Sequence, residues 1–260
     1  MPRLRNIATR GIAELSALMH SGRPPRAGLR ILMYHSIGSQ AIGDKLGLYG
    51  IAPARFAEQM ATLAAASGIK TIKLSDRDGT GSDMRVAVTF DDGYRDNLRV
   101  AAPILQKHGI SFTVFVCAAF MHDPSGNFLT PAEVRELASL PGVTIGSHGA
   151  THTPLTGLDD RALREELVSS RTELEYTAGC AVNAISYPHG AVDRRVRDAA
   201  AAAGYSIGAC SRFDINKTSR DPLLLCRTDI HSNDSVRVFR QKLRGDWDWY
   251  RWRGADPAMS

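Results

Sequence analysis

The sequence predicts an α/β protein built as a (β/α) barrel, closed or nearly closed, with seven or eight parallel strands. The main observation is a repeated unit, in which a helical segment, a glycine and a short apolar run follow one another along the chain. Strands that alternate with helices in this way form a parallel sheet with helices outside. A second observation is that polar residues stand directly after the apolar runs, where such barrels carry their active sites. An open doubly wound sheet is the alternative fold.

The chain divides by composition into three parts. Residues 1–28 are predicted to form an N-terminal basic helix and linker, the barrel spans residues 29–245, and residues 246–260 form an aromatic-rich C-terminal tail. The apolar residues of segment 3–19 fall near one helical face, and arginines occupy other positions. We expect a surface helix packed on the barrel, with a helix lying on a membrane surface as the alternative.

The elements of the barrel are marked by their ends. Glycines follow the predicted helices, as expected of helix C-terminal caps, and Thr130–Glu133 has the pattern of a capping box with proline at the first helical position. The predicted helices are residues 53–67, 94–108, 131–140, 159–178, 193–203 and 235–244. The predicted strands are residues 31–34, 69–74, 86–90, 112–117, 143–146, 184–187, 205–210 and 223–230.

Composition narrows the choice of partner and compartment. The net charge of +5 would suit an anionic partner, but lysines and arginines are scattered, so nucleic-acid binding is disfavoured. The cysteines are widely spaced without a CxxC pair, which favours reduced thiols. No secretory signal and no run long enough for a spanning helix is recognised. We therefore predict a cytoplasmic protein, with peripheral contact to the inner membrane as an open alternative.

The most informative stretch is residues 86–94, where a β-branched apolar run ends in Asp91, Asp92 and a glycine. Two adjacent carboxylates repel each other and suit a strand poorly, so folding alone does not explain them. A bound cation does, because it holds one carboxylate ionised and leaves the other free as a base. An acidic turn that merely closes a strand is the plainer interpretation.

A histidine pair supports the cation. His148 and His152 follow another predicted strand with a His-x3-His spacing, and together with one aspartate they offer two nitrogens and one oxygen. Three protein ligands and an open position are typical of catalytic zinc. Such a metal activates water and polarises a carbonyl group, and Asp91 would take the proton of the attacking water. The set predicts metal-assisted hydrolysis of an amide or ester.

These residues resemble a known family. Thr89–Tyr94 and Ser147–His152 are similar to the first two motifs of the polysaccharide deacetylases, the carbohydrate esterase family 4 or NodB-homology group. The resemblance implies a distorted, NodB-like (β/α) barrel that uses zinc to remove acetyl groups from N-acetylated sugars. It implies Asp91 as the base and Asp92, His148 and His152 as metal ligands.

The third motif is matched in part by residues 185–188, where Tyr187 is expected to offer its backbone N–H to the oxyanion. The arginine that pairs with the base in this motif is missing, since Ser186 or its neighbour stands at that position. We hypothesise that Arg227, at the end of another strand, supplies this charge. His189 is expected to contact substrate at the rim.

The general acid has two candidates. Residues 32–35 resemble the N-terminal Met-Tyr-His segment of the poly-N-acetylglucosamine deacetylase branch, in which the early histidine is the acid, and this favours His35. His231 is the alternative, because Asp229–His231 stands where the family carries a Leu-x-His motif.

The predicted function is a cytoplasmic carbohydrate N-deacetylase of surface-glycan or polysaccharide biosynthesis. We expect zinc or another divalent transition metal as cofactor and a nucleotide-linked or lipid-linked N-acetylated sugar as substrate. The alternatives are a deformylase or deacylase of another carbohydrate amide or ester, and a glycan-binding homologue without turnover. The intact Asp-Asp-His-His set argues against the second alternative.

Overall fold

Eight parallel strands form one curled sheet in the computed structural model, which describes residues 2–19, 26–77, 83–253 and 255–257. The strands of this sheet are β1 (Gly28–Tyr34), β4 (Ile69–Thr71), β5 (Met84–Phe90), β6 (Phe112–Val116), β7 (Val143–Ser147), β8 (Ala184–Ser186), β9 (Ile207–Ala209) and β10 (Thr228–Asp229). Two further strands, β2 (Ser36–Ile37) and β3 (Gly50–Ile51), pair with each other. The fold class predicted from the sequence, a distorted (β/α) barrel, is confirmed.

The sheet runs in the order β10-β1-β5-β6-β7-β8-β9, with β4 paired to the first half of β5. The segment between β9 and β10 closes it. Leu225 bridges to Ala209 beside β9, and Thr228 pairs with Leu32 of β1. The strand predicted over residues 223–230 is therefore too long, because this segment changes partner halfway and only Thr228–Asp229 remains in the ladder.

Helices connect most of the strands and cover the outside of the barrel. They are α1 (Pro2–Met19), α2 (Pro53–Ala64), α3 (Ala102–Lys107), α4 (Pro131–Ala138), α5 (Asp160–Ala178), α6 (Arg194–Ala202) and α7 (Val236–Arg244). The predicted capping box is confirmed, because Thr130 and Glu133 exchange side-chain to backbone hydrogen bonds. The prediction for residues 94–108 is corrected in one respect, since a π-helical turn, Asn97–Ala101, precedes α3. None of the helices in the described ranges is long and apolar enough to cross a membrane.

An aromatic cluster in the core holds two strand ends together. The Tyr34 ring, at the end of β1, lies 5.6 Å from the Phe90 ring at the end of β5, and both pack on Phe56 of α2. The Asp91 N–H donates to the Tyr34 carbonyl over 2.9 Å. The next residue of each strand, His35 or Asp91, is thereby fixed at the same edge of the barrel.

The two chain ends pack on each other. Ala13 of α1 is buried in one cluster with Phe213, Val238 and Trp247. Leu15 and Leu18, on another side of the same helix, are exposed. Residues 20–25, within the predicted helix and linker 1–28, lie outside the described residues, and the boundaries of the three predicted parts stay predictions.

Candidate active site

A buried ion pair lies at the carboxyl ends of β5 and β8. Arg227 donates to Asp91 through both arms of its guanidinium, Nη1 to Oδ1 over 2.6 Å and Nη2 to Oδ2 over 2.7 Å. The Ser186 hydroxyl donates to Asp91 Oδ2 over 3.1 Å, and Cys210 accepts from Arg227 Nε. Such bidentate charge-assisted bonds hold a carboxylate in one orientation. The structure thus places Arg227 where the hypothesis from the sequence required a cation.

This pairing sets the charge of Asp91. Burial alone raises the pKa of this carboxyl, but Arg227 and, more weakly, His148 and His35 pull the net pKa below its ordinary value. Asp91 is 2% exposed and Arg227 is fully buried, so the pair is shielded from bulk water. Asp91 is consequently an ionised carboxylate at neutral pH, as a proton acceptor must be.

The second carboxylate faces two imidazoles. Asp92 Oδ1 lies 3.4 Å from His148 Nε2 and 3.2 Å from His152 Nε2. Ligand atoms of all three residues lie within 4.8 Å of one another. The Nδ1–H of His148 donates to the Ser186 carbonyl over 2.8 Å, which leaves the Nε2 lone pair turned toward Asp92. The three residues predicted as metal ligands are therefore brought together in a ligand-like arrangement.

Backbone strain is concentrated at this point. Among the described residues, the non-glycine positions with positive φ are Asp92 (72°), His152 (64°) and His189 (57°). Residues other than glycine rarely adopt this region, and it costs of order 1–3 kcal/mol each when it is imposed. All three belong to the predicted site, so the surrounding structure maintains strained backbone where the candidate ligands and rim residues stand.

A glutamate of α5 supports the loop that carries the histidines. Glu166 accepts from the N–H groups of Ala150 and Thr151 over 2.8 and 3.1 Å, and also from the Thr151 hydroxyl. Residues 148–152 form a loop rather than a helical turn. Because the loop has few backbone hydrogen bonds of its own, the Glu166 carboxylate fixes the backbone between His148 and His152. Sequence reasoning missed this residue.

Both candidate acids contact the ring of Tyr49. The His35 ring is 4.4 Å from the Tyr49 ring in a tilted arrangement, and the His231 ring is 5.6 Å from it in a T-shaped one. Burial lowers the pKa of both histidines, that of His231 to about 4. The carboxylates Asp92 and Asp91 act in the opposite direction on His35. His35 Nδ1 is buried without a hydrogen-bond partner among the described residues.

The turn after β8 departs from expectation. The Tyr187 N–H, predicted as the oxyanion donor, donates to the Ala209 carbonyl over 3.1 Å and is engaged in pairing with β9 in this structure. Its ring is fully buried, with the hydroxyl on the Leu223 carbonyl. The next N–H with free capacity in this turn is that of His189, which donates to none of the described residues. The His189 ring lies 4.6 Å from the His152 ring, at the rim.

The structure thus places an ionised carboxylate held by an arginine beside an Asp-His-His group, at the carboxyl-end rim of a parallel barrel. That combination is typical of a metal-assisted hydrolase. Residues 78–208 match the family model described as polysaccharide deacetylase, and the chain belongs to that family. The sequence is also 30% identical over 201 residues to "Putative polysaccharide deacetylase YxkH" of Bacillus subtilis (strain 168), covering 75% of this chain and 68% of the relative.

Solved structures agree with this assignment. BC0361, a polysaccharide deacetylase from Bacillus cereus, superposes with a TM-score of 0.71 at 27% identity, covering 84% of this chain and 69% of that one. The Streptococcus pyogenes deacetylase PplD, solved in complex with acetate, superposes with a TM-score of 0.73 at 24% identity. This match covers 84% of this chain and 99% of PplD, and shows a shared fold.

Proposed function

We propose that the protein is a metal-dependent hydrolase that removes the acetyl group from an N-acetylated sugar. One observation carries the proposal, namely that the arginine-paired Asp91 lies directly beside the Asp92-His148-His152 group. Membership of the polysaccharide deacetylase family supports deacetylation of a carbohydrate. Together they assign separate tasks to the two adjacent carboxylates.

The cluster of Asp92, His148 and His152 fits a divalent metal. Asp92 Oδ1 is buried and has no hydrogen-bond partner among the described residues, although two imidazole Nε2 atoms face it. A carboxylate buried in this way needs a cation or proton donors. Two imidazole nitrogens, one carboxylate oxygen and an open position make the donor set of catalytic zinc, so we propose Zn²⁺ or another divalent transition metal.

Asp91 acts as the general base in this proposal. A metal held by the three ligands would supply activation of the attacking water and polarisation of the carbonyl oxygen. Asp91 accepts the proton that the water loses, and Arg227 with Ser186 keeps its carboxylate ionised and oriented. Proton transfer by a positioned side chain contributes about 10²–10⁴-fold to the rate.

His35 acts as the general acid that protonates the leaving amine. It follows β1, the neighbour of β5, so it stands at the same strand-end edge as Asp91. Burial lowers the pKa of His35, but Asp92 and Asp91 counteract this shift, whereas the pKa of His231 falls to about 4 and leaves it neutral at pH 7. This choice agrees with the resemblance to the Met-Tyr-His branch.

The backbone N–H of His189 is proposed as the donor to the developing oxyanion, in place of Tyr187. His189 belongs to the same turn as Tyr187. Its backbone is left-handed, so its N–H does not continue the strand pairing between β8 and β9. Loss of one such donor costs about 10²–10³-fold in rate in other hydrolases. The His189 side chain, at the rim, is proposed to contact substrate.

The net charge and the cysteines are the basis for the proposed substrate carrier and cellular compartment. The net charge of +5 suits a phosphorylated carrier, which favours a nucleotide-linked or lipid-linked sugar in surface-glycan biosynthesis. All four cysteines are free thiols in the described structure, which supports a reducing compartment such as the cytoplasm. Peripheral membrane contact through the exposed leucines of α1 is part of the same proposal.

Acetate release tests the function. The purified chain is loaded with Zn²⁺ and screened against N-acetylhexosamines in free, nucleotide-linked and lipid-linked form. We expect release with at least one class of sugar, loss of activity with a chelator, and recovery when metal is restored. Acetate release that a chelator leaves unchanged would contradict metal dependence, and binding of sugars with no release would favour a non-catalytic homologue.

A further inference from the structure

Two buried cysteines, Cys210 and Cys226, lie side by side where the barrel closes, and none of the roles described above uses their thiols. They directly follow Ala209 of β9 and Leu225, which bridge to each other, and the Cys210 N–H donates to the Leu225 carbonyl over 2.8 Å. Neighbouring strands lie about 4.7–4.9 Å apart, and a disulfide spans about 4.4–6.8 Å between Cα atoms. The two backbones therefore have a spacing that a disulfide can bridge.

The two thiols interact with each other, and this contact separates their acidities. It lowers the pKa of Cys210 below the ordinary value of a thiol, although burial acts in the opposite direction. The Arg212 N–H and the charges of Arg220 and Arg227 lower it further. The same contact, together with burial, raises the pKa of Cys226. Because the thiolate is the reactive form of cysteine, the pair combines a nucleophile, Cys210, with a protonated partner, Cys226.

A cavity of about 380 Å³ reaches one of the two thiols. Cys210 belongs to its lining, together with Gly190, Ser211 and Phe213, whereas Cys226 is covered. A hydroperoxide is small enough to enter a space of this size. Oxidation therefore begins at Cys210, and its covered neighbour is in position to react second.

The chemistry balances with a hydroperoxide as the oxidant. The Cys210 thiolate attacks a peroxide oxygen and the O–O bond breaks, so that Cys210 becomes a sulfenic acid and the released alkoxide or hydroxide takes up a proton. The Cys226 sulfur then attacks the sulfenic sulfur, the disulfide forms, and the hydroxyl group leaves as water with the Cys226 proton. The two thiols lose two electrons in total, and the peroxide gains them.

The same backbone carries the arginine that holds Asp91. Arg227 directly follows Cys226, and its Nε donates to the Cys210 carbonyl over 3.0 Å. The Arg227 N–H donates to the Arg212 carbonyl over 2.8 Å, on the segment that begins with Cys210. Both cysteines thus belong to the support of one guanidinium.

Closing a disulfide moves this support. Two sulfur atoms that meet as thiols are farther apart than the about 2.0 Å of an S–S bond, so the two segments must shift to close it. A close-packed interior transmits such a shift to its neighbours. The Arg227 guanidinium, which donates to Asp91 over 2.6 and 2.7 Å, is the charged group attached directly to the moving segment.

We propose that Cys210 and Cys226 form a reversible disulfide when a hydroperoxide enters the cavity, and that this bond withdraws Arg227 from Asp91. The modification site is the thiol pair, and the hydroperoxide is its substrate. The effect on catalysis rests on the deacetylase function proposed above, because Arg227 orients the proposed base. The oxidised protein should then release acetate more slowly, and a dithiol should restore the release.

The other two cysteines serve as internal controls. Cys117 is buried, its thiol donates to the Ala150 carbonyl over 3.4 Å, and burial raises its pKa to about 12. Cys180 is exposed after the end of α5. Oxidation that depends only on burial or only on exposure would reach one of these thiols as readily as it reaches Cys210.

Peptide mapping of the full chain tests the bond itself. The protein is treated with hydrogen peroxide, unfolded in N-ethylmaleimide and digested with trypsin, which places Cys210 and Cys226 in the separate peptides 198–212 and 221–227. We expect these two peptides to be joined by a disulfide that dithiothreitol breaks, with Cys117 still a free thiol. Free thiols at both positions after peroxide treatment, or a Cys210 oxidised only to its sulfinic acid, would overturn the proposal.

Acetate release by the oxidised and the reduced protein tests the consequence. We expect the disulfide to slow release about 10–100-fold, with recovery in dithiothreitol, because misplacement of a group by about 1 Å costs on the order of 10²-fold in rate. Cys210→Ala lacks the first thiol, so peroxide should not slow its release. Cys180→Ser, the matched control, should respond to peroxide as the wild type does.

The two measurements separate this proposal from the function on which it rests. A completed disulfide that leaves acetate release unchanged would overturn the link to Arg227. A reversible disulfide in a protein that releases no acetate in either state would support the modification site, and only the deacetylase function would fail.

Discussion

Replacing Arg227 by methionine is predicted to change both the stability of the protein and the pH at which it works. Methionine keeps much of the volume of the side chain but removes four hydrogen bonds, two of them to Asp91. Asp91 would then be a buried carboxylate without a cation. Removing one partner of a buried ion pair typically costs about 3–5 kcal/mol. For a chain of this size, that corresponds to a fall of roughly 6–20 °C in the unfolding midpoint.

The pH dependence gives the sign of the effect. In the wild type the pKa of Asp91 is below its ordinary value, so the pair contributes stability above the unfolded pKa that is lost only in stronger acid. Without Arg227, burial raises the pKa of this carboxyl, and protonation removes the uncompensated charge as the pH falls. The difference in unfolding free energy between wild type and Arg227→Met should therefore be largest at neutral pH and shrink toward pH 4.

Denaturant unfolding at several pH values measures this difference, and the pH profile of acetate release measures the catalytic side. The acid limb of kcat/KM should move to higher pH in the variant, because the base is protonated earlier. Arg30→Met is a matched control, since Arg30 is equally buried and pairs with Asp248 away from Asp91. It should destabilise the protein without moving the acid limb. An Arg227→Met variant with wild-type stability and an unmoved acid limb would show that Arg227 does not hold Asp91 ionised.

Three further predictions concern the metal and the acid. Glu166→Gln should weaken zinc affinity about 10–100-fold in a chelator competition, because the loop between the histidines loses the carboxylate that accepts its N–H groups. Glu165→Gln, on the exposed side of α5, is the control and should leave the zinc affinity unchanged. His35→Ala should lose about 10²–10⁴-fold in turnover and keep its metal, whereas His231→Ala should lose far less turnover. A larger loss of turnover in His231→Ala would make His231 the general acid. Zinc at about 100 times its Kd should raise the unfolding free energy by about 2.7 kcal/mol. The gain should be smaller at lower pH, because protons compete with the metal for His148. A thermal midpoint unmoved by zinc would contradict the metal site.

The residues that sequence reasoning placed correctly are those with local signals. Asp91 and Asp92 end a β-branched run, and His148 and His152 follow the next strand but one, so the topology of a parallel barrel brings them to one rim. The repeated helix, glycine and strand pattern predicted that topology. Both inferences need only the order and spacing of residues along the chain.

The residues that were missed or misjudged depend on tertiary contacts. Glu166 is one of several charged residues of α5, and only the packing of that helix against the loop distinguishes it from its neighbour Glu165. Whether the Tyr187 N–H is free depends on the register between β8 and β9, which pairs it with the Ala209 carbonyl. A three-residue strand carries too few side chains to reveal its register.

The strand predicted over residues 223–230 is longer than the strand in the structure, Thr228–Asp229. The run opens with four apolar residues, 223–226, and its first part bonds to β9 whereas its last part bonds to β1. This change of partner places Arg227 at the closure of the barrel, with its guanidinium on Asp91. The apolar pattern reports burial and not the identity of the partner strand, so it could not show this.

The different tasks of the two adjacent carboxylates are tested most directly by comparing Asp91→Asn with Asp92→Asn for zinc content and for acetate release from an N-acetylated sugar. We expect that Asp91→Asn retains zinc but loses turnover, because it lacks the proton acceptor, and that Asp92→Asn loses zinc and turnover together. An Asp91→Asn variant that releases acetate at the wild-type rate, or an Asp92→Asn variant that binds zinc as tightly as wild type, would contradict the division of tasks between the two carboxylates.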